Sequence, residues 1–407
     1  MTPSRPFIPR AGTAPRGGPS FPQDRQRQLR VWWHEIDQVL LVLVLLLMAL
    51  GALAVAAASP SSARDLSSAD VKLSDLHFFW LHLRWQALGL AVLLGTSLLE
   101  RDLVRRGAIL LAAAMLFGLL LVPFFGVEKN GARRWLDLGF SVQPSEFLKP
   151  AFAVTMAWVL SWKLRDPSLP VLWVSTALLG VIAVLLMLQP NFGEALLFVG
   201  LWLVLVVLAG LPLKRLMMVG GAAVVAVACV LAFYENGRNR LASFLGGGSA
   251  YDQVDLANRT LTGGGWTGSG FWLGTNKMRL PEAHTDYIFS VIGEEFGLLV
   301  CALVVLLYLA IILRVLVRLV EEDRMFNILA ASGLIALFGA QAFINILVNL
   351  QLFPSKGMTL PLVSYGGSST IAQCFTIGML LAVTRRNPFL SREKFDLRGS
   401  IEKEAAS

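Results

Sequence analysis

Residues 38–59 read QVLLVLVLLLMALGALAVAAAS, twenty-two positions without a charge. As a helix rising 1.5 Å per residue, this run covers about 33 Å, enough for a hydrocarbon core of about 30 Å. Nine further runs have similar character: about 77–98, 107–125, 146–162, 170–188, 193–210, 216–233, 286–313, 327–350 and 367–384. Lipid offers no partner to a backbone N–H or C=O, so each run must be helical. The composition agrees, with 56% hydrophobic and 15% charged residues in 407, where a soluble domain carries about a quarter charged. A soluble enzyme, a disordered scaffold and a disulfide-stapled secreted domain are excluded. Cys229, Cys301 and Cys374 lie inside apolar runs and read as small hydrophobes. The expected fold is all-α: a polytopic membrane protein of ten spans with one long extracytoplasmic loop at about 234–285.

The first run begins too late and lacks the cleavage site of a signal peptide, so it reads as a permanent span. Of 35 Lys and Arg, 22 fall on the side shared by the two termini, which places both termini in the cytoplasm. Residues 1–37 read as a disordered tail rich in Pro, Gly and Arg, with Trp32 and Trp33 as an interfacial anchor. Residues 38–386 form the membrane domain, 387–407 a second cytoplasmic tail. No internal repeat is visible.

Polarity in unexpected places marks candidate sites. Outer loops should be poor in Lys and Arg, yet they carry Lys129, Arg133, Arg134, Arg238, Arg240, Arg259, Lys277, Arg279 and Lys356. Such cations suit an anionic ligand such as a pyrophosphate, and they equally suit a solvated loop face. Ionisable groups inside spans cost several kcal/mol unless paired or hydrated. Lys149 follows Glu146 at i,i+3, a favourable order that also fits a self-neutralising cap. Arg84 and Glu294 reach similar depths on their spans, so Arg84 is expected to pair with Glu294 or Glu295 as a structural tie. Gln341, Asn345 and Asn349 form one stripe, which either packs against other helices or lines a polar groove. Gly366-Gly367-Ser368-Ser369-Thr370 opens the last span, where free backbone N–H groups can meet an anion or a double glycine simply turns the chain.

Asp286 is the carboxylate singled out for chemistry. Position alone makes it a helix N-cap. The glycine-laden segment 263–270 before it, with Lys277, Arg279 and His284 nearby, suggests instead a backbone that approaches a ligand. One acid ringed by cations is a sufficient inventory for inverting sugar transfer. The carboxylate deprotonates the acceptor hydroxyl, which attacks the anomeric carbon opposite the leaving group. A departing pyrophosphate needs only charge stabilisation from Lys, Arg or a divalent cation such as Mg. The sequence carries no metal cage, P-loop or serine nucleophile motif.

Together these residues resemble the SEDS family (shape, elongation, division and sporulation). The resemblance rests on Gly131-Ala132-Arg133-Arg134-Trp135-Leu136, Gln143-Pro144-Ser145-Glu146 with Lys149, and Gln189-Pro190-Asn191-Phe192-Gly193. It continues with Leu280-Pro281-Glu282-Ala283-His284-Thr285-Asp286, Gly293-Glu294-Glu295-Phe296-Gly297, Pro354-Ser355-Lys356-Gly357 and Ser364-Tyr365-Gly366-Gly367-Ser368-Ser369. It implies a ten-span peptidoglycan glycosyltransferase that polymerises lipid II at the outer face of the bacterial inner membrane. It further implies that Asp286 is the catalytic residue and that Arg134, Glu146 and Lys149 are functional. Lys277, His284, Lys356 and Ser369 complete the candidate substrate and pyrophosphate ligands. Pro281-Glu282-Ala283 before His284 resembles the division branch, whereas the elongation branch usually has a basic residue where Ala283 stands. A class B penicillin-binding transpeptidase, other divisome proteins and a septal location follow from that branch. Asn191 departs from the family's usual Asp, so no charge role carries over to it. A lipid II flippase and a non-catalytic scaffold for the transpeptidase are the competing readings. A flippase would concentrate polar groups at the midplane and show repeat symmetry.

Overall fold

The computed structural model describes residues 29–67, 72–129, 132–137, 139, 141–164, 166, 168–210, 220–221, 249–354 and 357–386. Asp37–Arg385 is one compact unit; the described residues 29–36 and Arg386 belong to another. The helices are α1 Gln38–Asp65, α2 His77–Ser97, α3 Arg101–Phe125, α4 Pro144–Ser161, α5 Val171–Leu188 and α6 Phe192–Leu208. They continue as α7 Ser249–Gly263, α8 Ile288–Phe296, α9 Leu298–Leu319, α10 Met325–Asn349 and α11 Gly367–Val383. Among the described residues, α1, α2, α3, α5, α9 and α10 are long and apolar enough to cross a membrane, and α6 and α11 are shorter apolar helices. The expected spans at 38–59 through 193–210, 327–350 and 367–384 each coincide with a helix. The seventh, at 216–233, lies outside the described residues apart from 220–221. The expected tails likewise lie mostly outside them.

At the centre stand α4 and α10, with α4 packed among α3, α6, α10 and α11. A carboxylate clasp closes the end at which α1 begins. Asp37 caps α1 by accepting from Leu40 N at 3.1 Å, and it pairs with Arg314 and Arg318 of α9 at 2.8 Å each. Both arginines lie in the last two turns of α9. Small residues bring α2 and α11 together, as expected between membrane helices. A Cβ at Gly89 would fall 2.7 Å from Cys374 Sγ, and one at Gly378 would fall 2.7 Å from Leu93 O.

Two features depart from a plain helical bundle. A meander of β1 Val127–Lys129, β2 Ala132–Asp137 and β3 Ser141–Val142 joins α3 to α4, with Glu128 opposite Arg133 and Leu136 opposite Val142. The expected single span at 286–313 is broken at Gly297, whose φ of 84° and ψ of 172° end α8 and start α9. The broken ends are satisfied by segment 264–270. Ser269 N and Gly270 N donate to Glu294 O and Glu295 O at 2.8 and 3.1 Å. Leu298 N and Leu299 N donate to Gly265 O and Trp266 O at 2.9 and 3.3 Å. Interrupted helices persist in membranes only where such partners replace the lost bonds. A Cβ at Gly264 would lie 2.2 Å from Gly293 O, and one at Gly268 would lie 2.2 Å from Glu295 O. These glycines thus serve backbone approach, as expected, but the approach is to α8 and not to a ligand.

Candidate functional site

Asp286 lies one residue before Tyr287, which occupies the cap position of α8, and no side chain caps that helix. The N-cap role therefore does not explain this acid. Its backbone is clamped by the polar stripe of α10: Asn345 Nδ2 and Asn349 Nδ2 donate to Asp286 O at 2.8 and 3.2 Å. Asn345 also donates to Met358 O at 2.6 Å, and Asn349 Oδ1 accepts from Ser290 N and Oγ at 3.1 and 2.6 Å. The stripe thus does more than pack helices, because it seats the loop that carries the acid. Ser364 Oγ donates to Thr285 O at 2.5 Å, and Tyr365 N donates to His284 O at 2.9 Å. The half-buried Asp286 side chain faces a cleft lined by Tyr287, Ile344, Asn345, Val348, Gly357 and Met358. A Cβ at Gly357, where φ is +62°, would approach Asp286 Oδ2 to 3.5 Å. Gly357 directly follows Lys356, which lies outside the described residues.

The second centre is Lys149, 1% exposed on α4. Its ammonium donates to Glu146 Oε1 at 2.8 Å and to Gln341 Oε1 at 3.1 Å. Gln341 Oε1 also accepts from Gln373 Nε2 at 3.0 Å, and Gln341 Nε2 donates to Thr359 O at 3.2 Å. Thr359 Oγ1 and Ser369 Oγ share a hydrogen bond of 2.7 Å. Lys149 and Asp286 are therefore linked to one helix face, at Gln341 and at Asn345 with Asn349, about 6 to 12 Å apart along its axis. Buried Glu194, in the first turn of α6, accepts from Gln143 Nε2 at 2.9 Å and from the Ser145 hydroxyl, and lies within electrostatic reach of Lys149, Glu146 and Arg134. Sequence reading missed it inside the apolar run 193–210, although the rule that singled out Lys149 applies equally. Arg134 reaches this centre from β2, donating through Nη2 to Pro190 O at 2.6 Å and through Nε to Gln189 O at 3.3 Å. Strand alternation sends its neighbour Arg133 the other way, to exposed Glu128 at 3.5 Å.

Several expected placements differ. Arg84 does not pair with Glu294 or Glu295; it is exposed on α2. Glu294 instead accepts from Asn276 N and Lys277 N at 2.7 and 2.9 Å. Depth alone carries that expectation, and it leaves out segment 276–277, whose backbone N–H groups already satisfy the Glu294 carboxylate. Lys277 is fully buried and pairs with Glu295 while donating to Ala57 O at 3.0 Å. It braces the loop and is not presented to an anion. His284 is also buried, sharing a 2.7 Å hydrogen bond with Ser62 Oγ and packing between Phe78 and Tyr365, with ring centroids 4.5 and 5.3 Å away. Burial holds its imidazole down at about 4, against an opposing pull from Glu282, so at neutral pH it is an uncharged anchor. At the start of α11, a Cβ on Gly367 would meet the Trp85 ring at 2.9 Å, which accounts for that glycine by packing. Among the described residues, no group of three or more His, Cys, Asp or Glu side chains is arranged to hold a metal ion.

Comparison with known proteins agrees with this architecture. The model of the cell cycle protein family of FtsW, RodA and SpoVE matches residues 37–388. A Caulobacter vibrioides protein named "Probable peptidoglycan glycosyltransferase FtsW" is 36% identical over 269 residues, covering 66% of this chain and 69% of the relative. A Taylorella equigenitalis protein of the same name is 34% identical over 293 residues, covering 68% and 79%. Among solved structures, RodA of Thermus thermophilus, a rod shape determining protein, superposes with a TM-score of 0.64 at 27% identity, over 88% of this chain and 99% of that one. A chain from a peptidoglycan synthase complex, described as coordinating polymerization and crosslinking, gives 0.69 at 28% identity, over 86% and 97%. With its helical frame, its clamped acid and these matches, the chain belongs to the FtsW, RodA and SpoVE family of cell cycle proteins.

Proposed function

We propose that this membrane protein is a peptidoglycan glycosyltransferase that polymerises lipid II at the outer face of the inner membrane during division, with Asp286 as general base. The observation that carries the reading is the seating of Asp286. An otherwise irregular loop is held by two asparagines of α10 through the backbone carbonyl of Asp286, which seats the residue at a small cleft. Such positioning is what a base needs to reach an acceptor hydroxyl. The base takes the hydroxyl proton as the new glycosidic C–O bond forms at the anomeric carbon. The anomeric C–O bond to phosphate breaks with its electron pair leaving on the polyprenyl diphosphate. Lys149 and Arg134 offset that charge electrostatically, Lys149 from its buried position on α4 and without contact, and Lys356, outside the described residues, is a further candidate cation. Both termini lie in the cytoplasm, and a class B penicillin-binding transpeptidase is the partner.

The test uses the full-length chain with its transpeptidase and labelled lipid II. Asp286→Asn abolishes glycan chains while the protein keeps its wild-type unfolding temperature. Undiminished polymerisation by that variant rejects Asp286 as the base, and loss of polymerisation without the cleft's collapse argues against a flippase or a scaffold.

A further inference from the structure

Around Lys149 the chain buries more acid than a single ion pair requires. Glu146 and Glu194 are both buried, and each has one carboxylate oxygen, Oε2, with no hydrogen-bond partner. Lys149 supplies one positive charge, and Arg134 supplies a second from the carbonyls of the α5–α6 turn that leads into Glu194. Two cations and two carboxylates therefore make a formally balanced cluster. Only Glu146 pairs with Lys149 directly, at 2.8 Å. Glu194 is held by neutral donors, Gln143 and Ser145, which fix its position without consuming its charge.

We infer that Glu194 is the electrostatic counterweight of the cation site: it weakens the hold of Lys149 and Arg134 on a polyprenyl diphosphate so that the leaving group can depart. The inference rests on the reading of Lys149 and Arg134 as the groups that offset the charge of the diphosphate. A site of surplus positive charge inside a low-dielectric bundle grips an anion in both the substrate and the product. Such uniform binding lowers KM without raising kcat, and it slows release. A fixed carboxylate that offsets one cation keeps the site near neutral when empty. The anion is then held by geometry more than by net charge. Glu194 is thus a positioning residue of the electrostatic kind and touches no reacting atom.

Glu194→Gln keeps an oxygen for Gln143 and Ser145 and removes only the charge, whereas Glu194→Asp keeps the charge. Full-length proteins in nanodiscs are titrated with undecaprenyl diphosphate, and the same proteins with their transpeptidase are assayed on lipid II. Glu194→Gln is expected to bind the diphosphate on the order of tenfold more tightly, since one unit of opposing charge beside the cation site is removed at moderate effective dielectric. Its KM and kcat both fall, and Glu194→Asp restores both towards wild type. Equal affinity of wild type and Glu194→Gln, with binding lost in Lys149→Ala, overturns the counterweight and leaves the cation site standing. Weaker binding by Glu194→Gln overturns it too, because Glu194 then serves to hold Lys149 in place. Binding that is indifferent to Lys149→Ala, or absent from the wild type, overturns both readings.

Discussion

Lys277 offers a sharp test of how charge should be read in this fold. Its ammonium is fully buried against Glu295, whose carboxylate also accepts from Trp272 N and from Gly274 N at 3.1 Å. Lys277→Met leaves the carboxylate buried with two amides as partners, and Glu295→Gln leaves the ammonium with an amide oxygen and Ala57 O. Removing one member of a buried pair costs about 3–5 kcal/mol, because the remaining charge keeps its desolvation penalty. Replacing both members removes that penalty, so the double variant Lys277→Met/Glu295→Gln is expected to lose less than the two singles together, with a coupling of at least about 2 kcal/mol. At roughly 2 °C per kcal/mol for a chain of this size, each single variant unfolds about 6–10 °C early and the double recovers much of the difference. Tryptophan fluorescence during thermal unfolding in detergent reads this directly, and polymerisation of lipid II by the double variant at low temperature is near wild type. Additive losses would show that the pair is not the interaction holding the loop. A stable but inactive double variant would return Lys277 to the diphosphate site.

Two further outcomes follow from local geometry. Gly268→Ala forces a Cβ against Glu295 O and is expected to cost several kcal/mol or prevent accumulation of folded protein, whereas Gly265→Ala, with φ of 60° and open space around it, costs only about 1 kcal/mol; expression and thermal unfolding of the pair check the contrast. For His284, the folded imidazole protonates near 4 and the unfolded one near 6.5, so the unfolded chain binds more protons between these values. Stability is therefore full above about 6.5 and falls as pH drops towards 4. His284→Gln flattens that part of the stability profile, and an unchanged slope would refute the assignment.

The helices were legible because lipid leaves long apolar runs no other conformation. Their interruption at Gly297 was not, since Leu298-Leu299-Val300 continues the apolar run and a glycine alone does not stop a span. The deciding bonds come from segment 264–270, far earlier in the chain. Strands β1 and β3 are too short for a period-two signal, and the six residues of β2, ARRWLD, do not alternate apolar with polar. Asp286, Glu146 and Lys149 stand out in the sequence by the company they keep. Lys277 and His284 were misplaced for one reason: a polar residue in a loop carries no mark of whether the loop folds outward or inward. The glycines around them marked close packing without saying against what.

The stripe on α10 has a consequence for how this scaffold tolerates change. Because Gln341, Asn345 and Asn349 face one way at four-residue intervals, the helix acts as a gauge block that sets the gap between the acid and the buried ammonium. Loops on either side can lengthen or shorten without altering that gap. A single residue inserted between Gln341 and Asn345 would instead swing the asparagines by about 100°, unseating the acid while leaving every loop intact.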